Sequence, residues 1–451
     1  SLGFLFYRMG AQHKSLNLSL FVLAIAFIIS PFWVAQIYFL NQCTQILFAY
    51  TLTALSILFA EEARKSFRTK WYFVLLSVVL MQFTFGSYQV LTVVYITMVV
   101  ASFLIYFAKK ESTFKEQLLW IGYHAGTFLV GFIIYMITYK VFFSDLDGYL
   151  QDQISWASTG IKGGLLYCFY AIRDSLQCHA PYYTGFYGIF ALILVLVTLF
   201  SFIKHQKGKR LNFLLTVFVE LFLILTPYIF IFIQGGQIAD RIQLILPLSQ
   251  GCILFLSVFY WSVHGTEASK KTPAVLAKIV LVVFICCIGK DALTNFSYCS
   301  RLYYTDQWVF EFDSKVAERL YADIRTVQSQ HEEDIYYDNV VILGYPEMPY
   351  NETCITGDMI GLSIFQFEKS IMEPEDKRLF FFMENLGYPI AVDFSGGELA
   401  AYQNYFVECF GSTVEAMPCY PAEGYIQYVT NEELSLEYLV VKLGSDWRYV
   451  E

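Results

Sequence analysis

The sequence predicts a polytopic α-helical membrane protein with about 9–10 spans, followed by a C-terminal extracytoplasmic α/β domain. The chain of 451 residues is 57% hydrophobic and 15% charged, whereas soluble proteins are typically about 45–50% apolar and about 25% charged. Residues 1–290 carry 21 Lys and Arg against 11 Asp and Glu, a net charge of +10. Residues 291–451 carry 9 against 28, a net charge of −19. The two parts are therefore suited to different surroundings.

The membrane domain is expected over residues 1–290. A span needs roughly 20 mostly apolar residues to cross about 30 Å of hydrocarbon. Nine segments have this character, namely Leu16–Tyr38, Gln45–Ala60, Trp71–Phe85, Tyr88–Ala108, Leu118–Phe143, Tyr183–Ile203, Leu211–Ile233, Ile242–Trp261 and Pro273–Gly289. Residues 1–7 resemble the end of a further span, so we expect part of the protein to precede residue 1.

The distribution of Lys and Arg predicts the orientation. The segments near Arg8, Arg64–Lys70, Lys109–Lys115, Lys204–Arg210 and Lys270 contain 15 basic residues, and the alternate loops contain three. Basic loops stay in the cytoplasm. Nine spans after Tyr7 then place the 144–182 loop and the acidic tail outside. This indicates a multi-pass membrane protein whose basic loops lie in the cytoplasm.

The tail, residues 291–451, is expected to be a small α/β domain. Its patterns predict helices over 313–330 and 378–387 and strands over 339–344, 389–394 and 437–443. Cys299, Cys354, Cys409 and Cys419 are even in number, which leaves one or two disulfides open. No zinc-like Cys and His spacing occurs, so we expect no metal. We also expect no cofactor and no nucleic acid partner.

Candidate residues for chemistry lie on the predicted outer side. Arg241 follows Gln234-Gly-Gly-Gln, and a guanidinium there can hold a phosphate through two hydrogen bonds. The alternative is that Arg241 reaches lipid headgroups and pairs with Asp240. Asp145 and Asp147 lie with aromatic residues on the 144–182 loop. Rings and carboxylates suit sugar binding, but interfacial aromatic residues also form the ordinary membrane belt.

An acidic residue within a span is a further candidate. Glu220 lies inside Leu211–Ile233, where an ionisable residue indicates either a functional site or a polar contact between helices. Outside the cell, nucleotide sugars and ATP are normally absent. A group transfer there needs a donor that has crossed the membrane, a cation for the phosphate leaving group and a carboxylate base.

Several segments, in this order, carry a resemblance to a known family. They are Ser30-Pro-Phe-Trp-Val-Ala-Gln-Ile-Tyr38, Gly86-Ser-Tyr-Gln89, Arg241-Ile-Gln-Leu-Ile-Leu-Pro247, Val340-Val-Ile-Leu-Gly344, Gly361-Leu-Ser-Ile-Phe365 and Phe382-Met-Glu-Asn-Leu-Gly387. With the predicted topology, the chain resembles the bacterial polytopic glucosyltransferases typified by phage-borne type II O-antigen glucosyltransferases, within the C-type superfamily that uses lipid-linked donors.

The resemblance implies transfer of a glucosyl group from a polyprenyl-phosphate donor to a surface glycan such as O-antigen. The expected partners are this donor, the glycan acceptor and membrane lipids. Members of the superfamily usually carry an essential Asp on the first outer loop, a stretch that we expect upstream of residue 1, so the catalytic residue stays unassigned. Arg241 is the candidate phosphate contact. The candidates for lining the cavity are Asp240, Tyr88, Gln89, Asp145 and Asp147. The tail is expected to position the acceptor.

Two other functions remain open from the sequence. A lipid-sugar transporter or flippase would also be polytopic, but such proteins usually show internal repeats, and the sequence shows none. A non-catalytic envelope-assembly protein would not need an acidic loop.

Overall fold

The computed structural model describes residues 2–10, 16–108, 112–142, 156–177, 185–205, 210–235, 238–268, 274–330, 340–357, 359–366, 378–390, 399–431 and 436–445. The chain divides into two compact units, Ser1–Ser300 and Arg301–Glu451. The predicted boundary between residues 290 and 291 falls inside one continuous helix, Ala274–Gln330. Each unit is described separately below.

The first unit is built from α-helices, because apolar segments in hydrocarbon must satisfy their backbone polar groups internally. They are α1 (Leu2–Arg8), α2 (Leu16–Ile28), α3 (Pro31–Ile37), α4 (Leu40–Lys65), α5 (Phe67–Lys70), α6 (Tyr72–Ser87), α7 (Leu91–Ala108), α8 (Phe114–Phe142), α9 (Trp156–Gln177), α10 (Phe186–His205), α11 (Arg210–Leu225), α12 (Ile229–Gln234), α13 (Ile245–Ala268) and α14 (Ala274–Gln330). Short 3₁₀ helices occupy Thr226–Tyr228 and Asp240–Leu244.

Each of the nine predicted spans contains described helical residues, and the helices differ in length. Within the described residues, six helices are long and apolar enough to cross a membrane, and a seventh span is possible if α2 and α3 are counted together. The helices Tyr72–Ser87 and Phe186–Leu199 are apolar but shorter. Among the residues that the structure describes, these six or seven long apolar helices are consistent with a multi-pass membrane protein.

The predicted span Leu16–Tyr38 is two helices bent by 55°. Ser30 has an extended backbone (φ −65°, ψ 131°), and Pro31 begins α3. Proline has no N–H to donate and disfavours helical geometry in the preceding residue, so the helix breaks at this point. The residues Pro31 to Gln36 are all buried.

The interior of the first unit forms around α7 and α13. The helix α13 packs against α2 and α10, and α7 packs against α4 and α13. By contrast, α8 presents much of its surface outward, with Leu119, Ile133 and Val141 more than half exposed. This distribution is expected of a bundle whose outer helices face lipid.

The second unit contains a three-stranded sheet and two further helices. The strands are β1 (Val340–Leu343), β2 (Ile426–Asn431) and β3 (Leu436–Lys442), and the helices are α15 (Arg378–Asn385) and α16 (Leu399–Ala416). A 3₁₀ helix covers Ile364–Gln366. The strand order is β1-β3-β2, with β1 parallel and β2 antiparallel to β3.

The two faces of the sheet are buried by different helices. Ile342 and Leu439 lie in a core with Val316 and Leu320 of α14. Their neighbours Val341 and Val440 lie in a second core, with Phe406, Phe410 and Val414 of α16. Successive strand residues point to opposite faces, so α14 covers one face and α16 the other.

The close approach of two glycines joins the ends of β1 and β3. Gly344 has φ +67°, and the Leu443 N–H donates to the Leu343 carbonyl at 2.8 Å. A Cβ atom built on Gly344 would lie 2.9 Å from the Gly444 nitrogen. A side chain at Gly344 is therefore excluded by both the backbone conformation and the neighbouring strand.

Some predicted elements of the tail are found in the structure, and others need correction. The segments predicted over 339–344, 378–387 and 437–443 contain β1, α15 and β3. The helix predicted over 313–330 is the end of α14, which is uninterrupted because no Pro or Gly lies between Lys290 and Gln330. The sequence reading missed α16 and β2, and most of 389–394 lies outside the described residues. The four tail cysteines are free thiols.

Candidate functional site

Two segments far apart in sequence meet in the first unit. The short helix α3 packs against the 3₁₀ helix Asp240–Leu244. Next to this contact, the guanidinium carbon of Arg241 lies 4.7 Å from the centre of the Phe39 ring, the geometry of a cation–π interaction. The Arg241 side chain is partly exposed, so its charge is held at the edge of the buried contact.

The two segments that form this contact carry buried polar atoms without partners. Gln36 on α3 is fully buried, and Gln243 and Trp33 are 3% and 5% exposed. Among the described residues, both side-chain amide atoms of Gln36, Oε1 of Gln243 and Nε1 of Trp33 have no hydrogen-bond partner. An unsatisfied buried polar group costs about 1–3 kcal/mol, and such groups are rare in folded proteins. They indicate a place where a ligand or water supplies the missing partners.

Aromatic side chains hold these residues in position. The Trp33 ring packs against Tyr50, with centroids 5.7 Å apart, and against Phe27 at 4.9 Å. The Tyr50 hydroxyl donates to the Leu244 carbonyl at 3.2 Å, which ties α4 to the end of the 3₁₀ helix. Rings of this size fix the orientation of a neighbouring polar side chain because they leave few alternative rotamers.

The predicted residues Tyr88 and Gln89 lie in the turn between α6 and α7. Tyr88 is close enough to Tyr50 for the two side chains to interact electrostatically. Gln89 is within hydrogen-bonding range of the Tyr135 hydroxyl on α8. Tyr88 is therefore in the neighbourhood of Tyr50, the residue that donates to the carbonyl at the end of the 3₁₀ helix.

Of the remaining candidates, those that the structure describes are not brought to this region. Asp145 and Asp147 lie outside the described residues. Asp174 pairs with the adjacent Arg173 at 2.6 Å. Glu220 is buried between α10 and α11, where the Thr198 hydroxyl donates to it at 2.6 Å, as expected for a polar contact between helices. The described part of the chain contains no group of three or more potential metal ligands.

The sequence reading missed Trp33, Gln36 and Gln243. It identified the two segments that contain them, Ser30–Tyr38 and Arg241–Pro247, but not the residues within them. A glutamine in an apolar run close to Pro31 was the available signal, because an amide is costly in hydrocarbon unless it has a partner. The amides lie on segments that are far apart in sequence, and only the tertiary contact between these segments brings them into one part of the molecule.

A second polar cluster is formed by charged residues of α4 and α8. Glu61 is 2% exposed, and Arg64 donates to both of its oxygens at 2.8 and 2.7 Å. The Tyr123 hydroxyl of α8 donates to the Ala60 carbonyl at 2.9 Å. This cluster is internally paired and includes the basic segment Arg64–Lys70, so it differs in character from the unpaired amides around Arg241.

The contact between α3 and the 3₁₀ helix Asp240–Leu244 combines a positive charge with buried polar atoms that lack partners among the described residues. Arg241 supplies a permanent positive charge, which suits phosphate oxygens. The amides of Gln36 and Gln243 can donate to and accept from hydroxyl groups, and the indole N–H of Trp33 adds a donor. A ligand with one anionic group and several hydroxyls would satisfy all of these atoms.

A family model described as Glucosyl transferase GtrII matches residues 3–260, which is more than half of the chain and includes α3, the Tyr88 turn and the 3₁₀ helix with Arg241. No curated protein and no solved structure matches the chain. The family implies glucosyl transfer and therefore a sugar donor and an acceptor. The chain belongs to the GtrII glucosyl transferase family.

Proposed function

We propose that the protein transfers a glucosyl group from a polyprenyl-phosphate donor to a cell-surface glycan on the outer face of the bacterial cytoplasmic membrane. The family supports the glucosyl transfer. The donor class is supported by one observation: the segment with the Arg241 charge contacts α3, and Gln36 Nε2, Gln36 Oε1 and Gln243 Oε1 on these segments are buried without partners among the described residues. A sugar phosphate carried by a lipid matches both the polar atoms and their surroundings.

The roles follow from charge and hydrogen-bonding capacity. Arg241 contacts the phosphate and stabilises the negative charge that develops on it as the glycosidic bond breaks. Gln36, Gln243 and Trp33 bind sugar hydroxyls, which orients the reacting carbon. Tyr88 and Gln89 line the cavity on the α6–α7 side.

The outer location rests on the charge distribution. The loops rich in Lys and Arg lie at the opposite ends of the predicted spans from Arg241. The tail then lies outside, where its net charge of −19 keeps it solvated, and we propose that it positions the glycan acceptor. Asp240 is adjacent to the proposed phosphate contact and is a cavity residue in this proposal, whereas the catalytic base is not assigned.

The test compares two arginine variants in membranes that contain the protein. Arg241→Ala removes the proposed phosphate contact. Arg173→Ala is the matched control, because Arg173 also lies 4.7 Å from an aromatic ring centre, that of Tyr170, but is paired with Asp174. We expect Arg241→Ala to lower glucosyl transfer by roughly 10²–10³-fold and to weaken binding of polyprenyl-phosphate glucose, with little change in Arg173→Ala.

Donor binding is measured together with transfer, so that the other functions give distinct results. Binding without transfer, with glucose-lipid moved across the bilayer instead, would identify a transporter. Neither binding nor transfer would favour an envelope-assembly protein. Equal transfer by both variants would remove Arg241 from the site.

A further inference from the structure

A cavity of about 430 Å³ lies between α7, α8 and α11 in the first unit. This volume is within the range that binds small molecules, about 300–1,000 Å³. Its lining is almost entirely hydrocarbon and aromatic, with contributions from Val99, Phe103, Trp120, Phe128 and Phe218 among others. The ionisable lining residues are Tyr95 and His124, and Nε2 of His124 lies 3.3 Å from Glu61 Oε2. The Tyr95 hydroxyl, Trp120 Nε1 and His124 Nδ1 have no hydrogen-bond partner among the described residues, and the rest of the lining suits an uncharged chain.

The cavity has a buried floor and an open side. Tyr95, Phe103 and Trp120 are at most 2% exposed, whereas Phe218 is 66% exposed, Leu118 46% and Phe222 38%. The open side is thus formed by residues of α8 and α11 on the outward surface of the bundle. In a bilayer that surface faces lipid, so an occupant can enter sideways from the hydrocarbon.

A line of aromatic contacts joins this cavity to the candidate site. Gln89 is within hydrogen-bonding range of Tyr135, and the Tyr135 ring lies 5.9 Å from Phe85. Phe85 in turn lies 6.2 Å from Tyr95 and 6.0 Å from Phe128, both of which line the cavity. Two aromatic side chains, Tyr135 and Phe85, therefore lie between Gln89 and the cavity wall.

We infer that this cavity binds the prenyl chain of the lipid-linked donor while its sugar phosphate lies near Arg241 and Gln36. The inference rests on the proposed function and specifies which helices recognise the lipid. The prenyl chain of the donor is favoured over a phospholipid acyl chain, because the cavity is connected through Phe85 to the residues proposed to line the headgroup cavity. Its aromatic lining also fits a branched, unsaturated chain through ring contacts.

The first test does not depend on catalysis. A photoreactive polyprenyl phosphate with a diazirine near the middle of its chain is irradiated with the full-length protein in nanodiscs, and the labelled peptides are identified by mass spectrometry. We expect labelling of peptides that contain Phe128 and Phe218. Labelling confined to other surfaces, such as the exposed residues Leu75 and Val79 of α6, would overturn the inference.

The second test fills the cavity. Val99→Trp and Ala125→Trp each place a large ring in the cavity lining. Val130→Trp is the control, because Val130 lies on the outward surface of α8, is 51% exposed and is not a lining residue. Transfer is measured with a long-chain polyprenyl-phosphate glucose and with citronellyl phosphate glucose, which has a short chain.

The expected result is a change in chain preference. Each buried CH₂ contributes about 0.8 kcal/mol, so the filling variants should raise KM for the long-chain donor by roughly tenfold or more and leave KM for the short-chain donor nearly unchanged. An equal effect on both donors, with bound phospholipid lost in native mass spectrometry, would assign the cavity to a structural phospholipid. Absence of transfer from either donor by the wild-type protein would contradict the proposed function, and the labelling pattern would still decide the inference.

Discussion

Nε2 of His124 lies 3.3 Å from Oε2 of Glu61, which joins helices α4 and α8 at a point where both side chains are buried. Arg64 binds the same carboxylate through two hydrogen bonds and also donates to the Tyr106 hydroxyl at 3.0 Å. Three helices, α4, α7 and α8, are thus connected through one carboxylate. The charge of Glu61 is compensated mainly by Arg64.

Glu61→Gln should destabilise the protein by about 3–5 kcal/mol, because removing one partner of a buried ion pair leaves the other charge uncompensated. Thermal unfolding in detergent micelles measures this as a lower Tm. Glu116→Gln is the control, since Glu116 is exposed and Gln can keep the capping contact that it makes with Thr113. Equal Tm values for the two variants would show that the Glu61 contacts are weak.

Gln36→Leu should separate stability from function. Neither amide atom of Gln36 has a hydrogen-bond partner in the described residues, so its replacement by an apolar side chain should not lower Tm. Donor binding should nevertheless weaken by roughly tenfold, which is the loss of affinity expected when one or two typical hydrogen bonds are removed. The measurements are Tm and binding of polyprenyl-phosphate glucose on the same sample. Unchanged binding would exclude Gln36 from the donor site.

Lys442→Met should destabilise the second unit. The Lys442 ammonium is buried and donates to the carbonyls of Val414, Glu415 and Met417, at 2.8, 3.1 and 2.8 Å. It therefore caps the C-terminal end of α16, where carbonyl groups lack helical partners. Loss of a charged hydrogen-bond donor costs about 1.5–3 kcal/mol. Limited proteolysis of the full chain should cut the tail faster in Lys442→Met than in Lys315→Met, where the lysine is exposed.

Gly344→Ala should disturb the junction between β1 and β3. The alanine would have to adopt φ +67°, and its Cβ would lie 2.9 Å from backbone atoms of Gly444. We expect the free energy of unfolding to fall by about 1–3 kcal/mol. The cost should appear as a lower unfolding temperature of the full chain. Gly289→Ala is the matched control, because Gly289 is helical and a Cβ there meets no atom within 4 Å. A normal Tm in Gly344→Ala would mean that the strands can separate at this point.

The helical membrane unit could be predicted because long apolar runs leave few alternatives. The bend at Pro31 was visible in the sequence as a proline, but the run was long enough to be read as one span. The helix α16 was missed because Gly411, Ser412 and Thr413 have low helix propensity. Its helical form depends on Phe406 and Phe410, which pack on the sheet, and no local pattern records that contact.

The candidate site could be predicted only in part. A charged residue such as Arg241 stands out in an apolar chain, so it was found from the sequence. Gln36 and Gln243 became candidates only when the structure showed them buried without partners, at a contact between segments about two hundred residues apart. Pairing over such a distance is a property of the tertiary fold and has no signature in either segment.

The complete burial of residues Pro31 to Gln36 has a consequence for protein engineering. A helix with no exposed face has no position at which a substitution is free of steric effects. Random libraries should therefore yield few functional clones with changes in this stretch, and many with changes on the outward face of α8. Attempts to redirect the protein to another sugar would do better to start from Tyr88, whose neighbours Gly86 and Ser87 are exposed, than from α3.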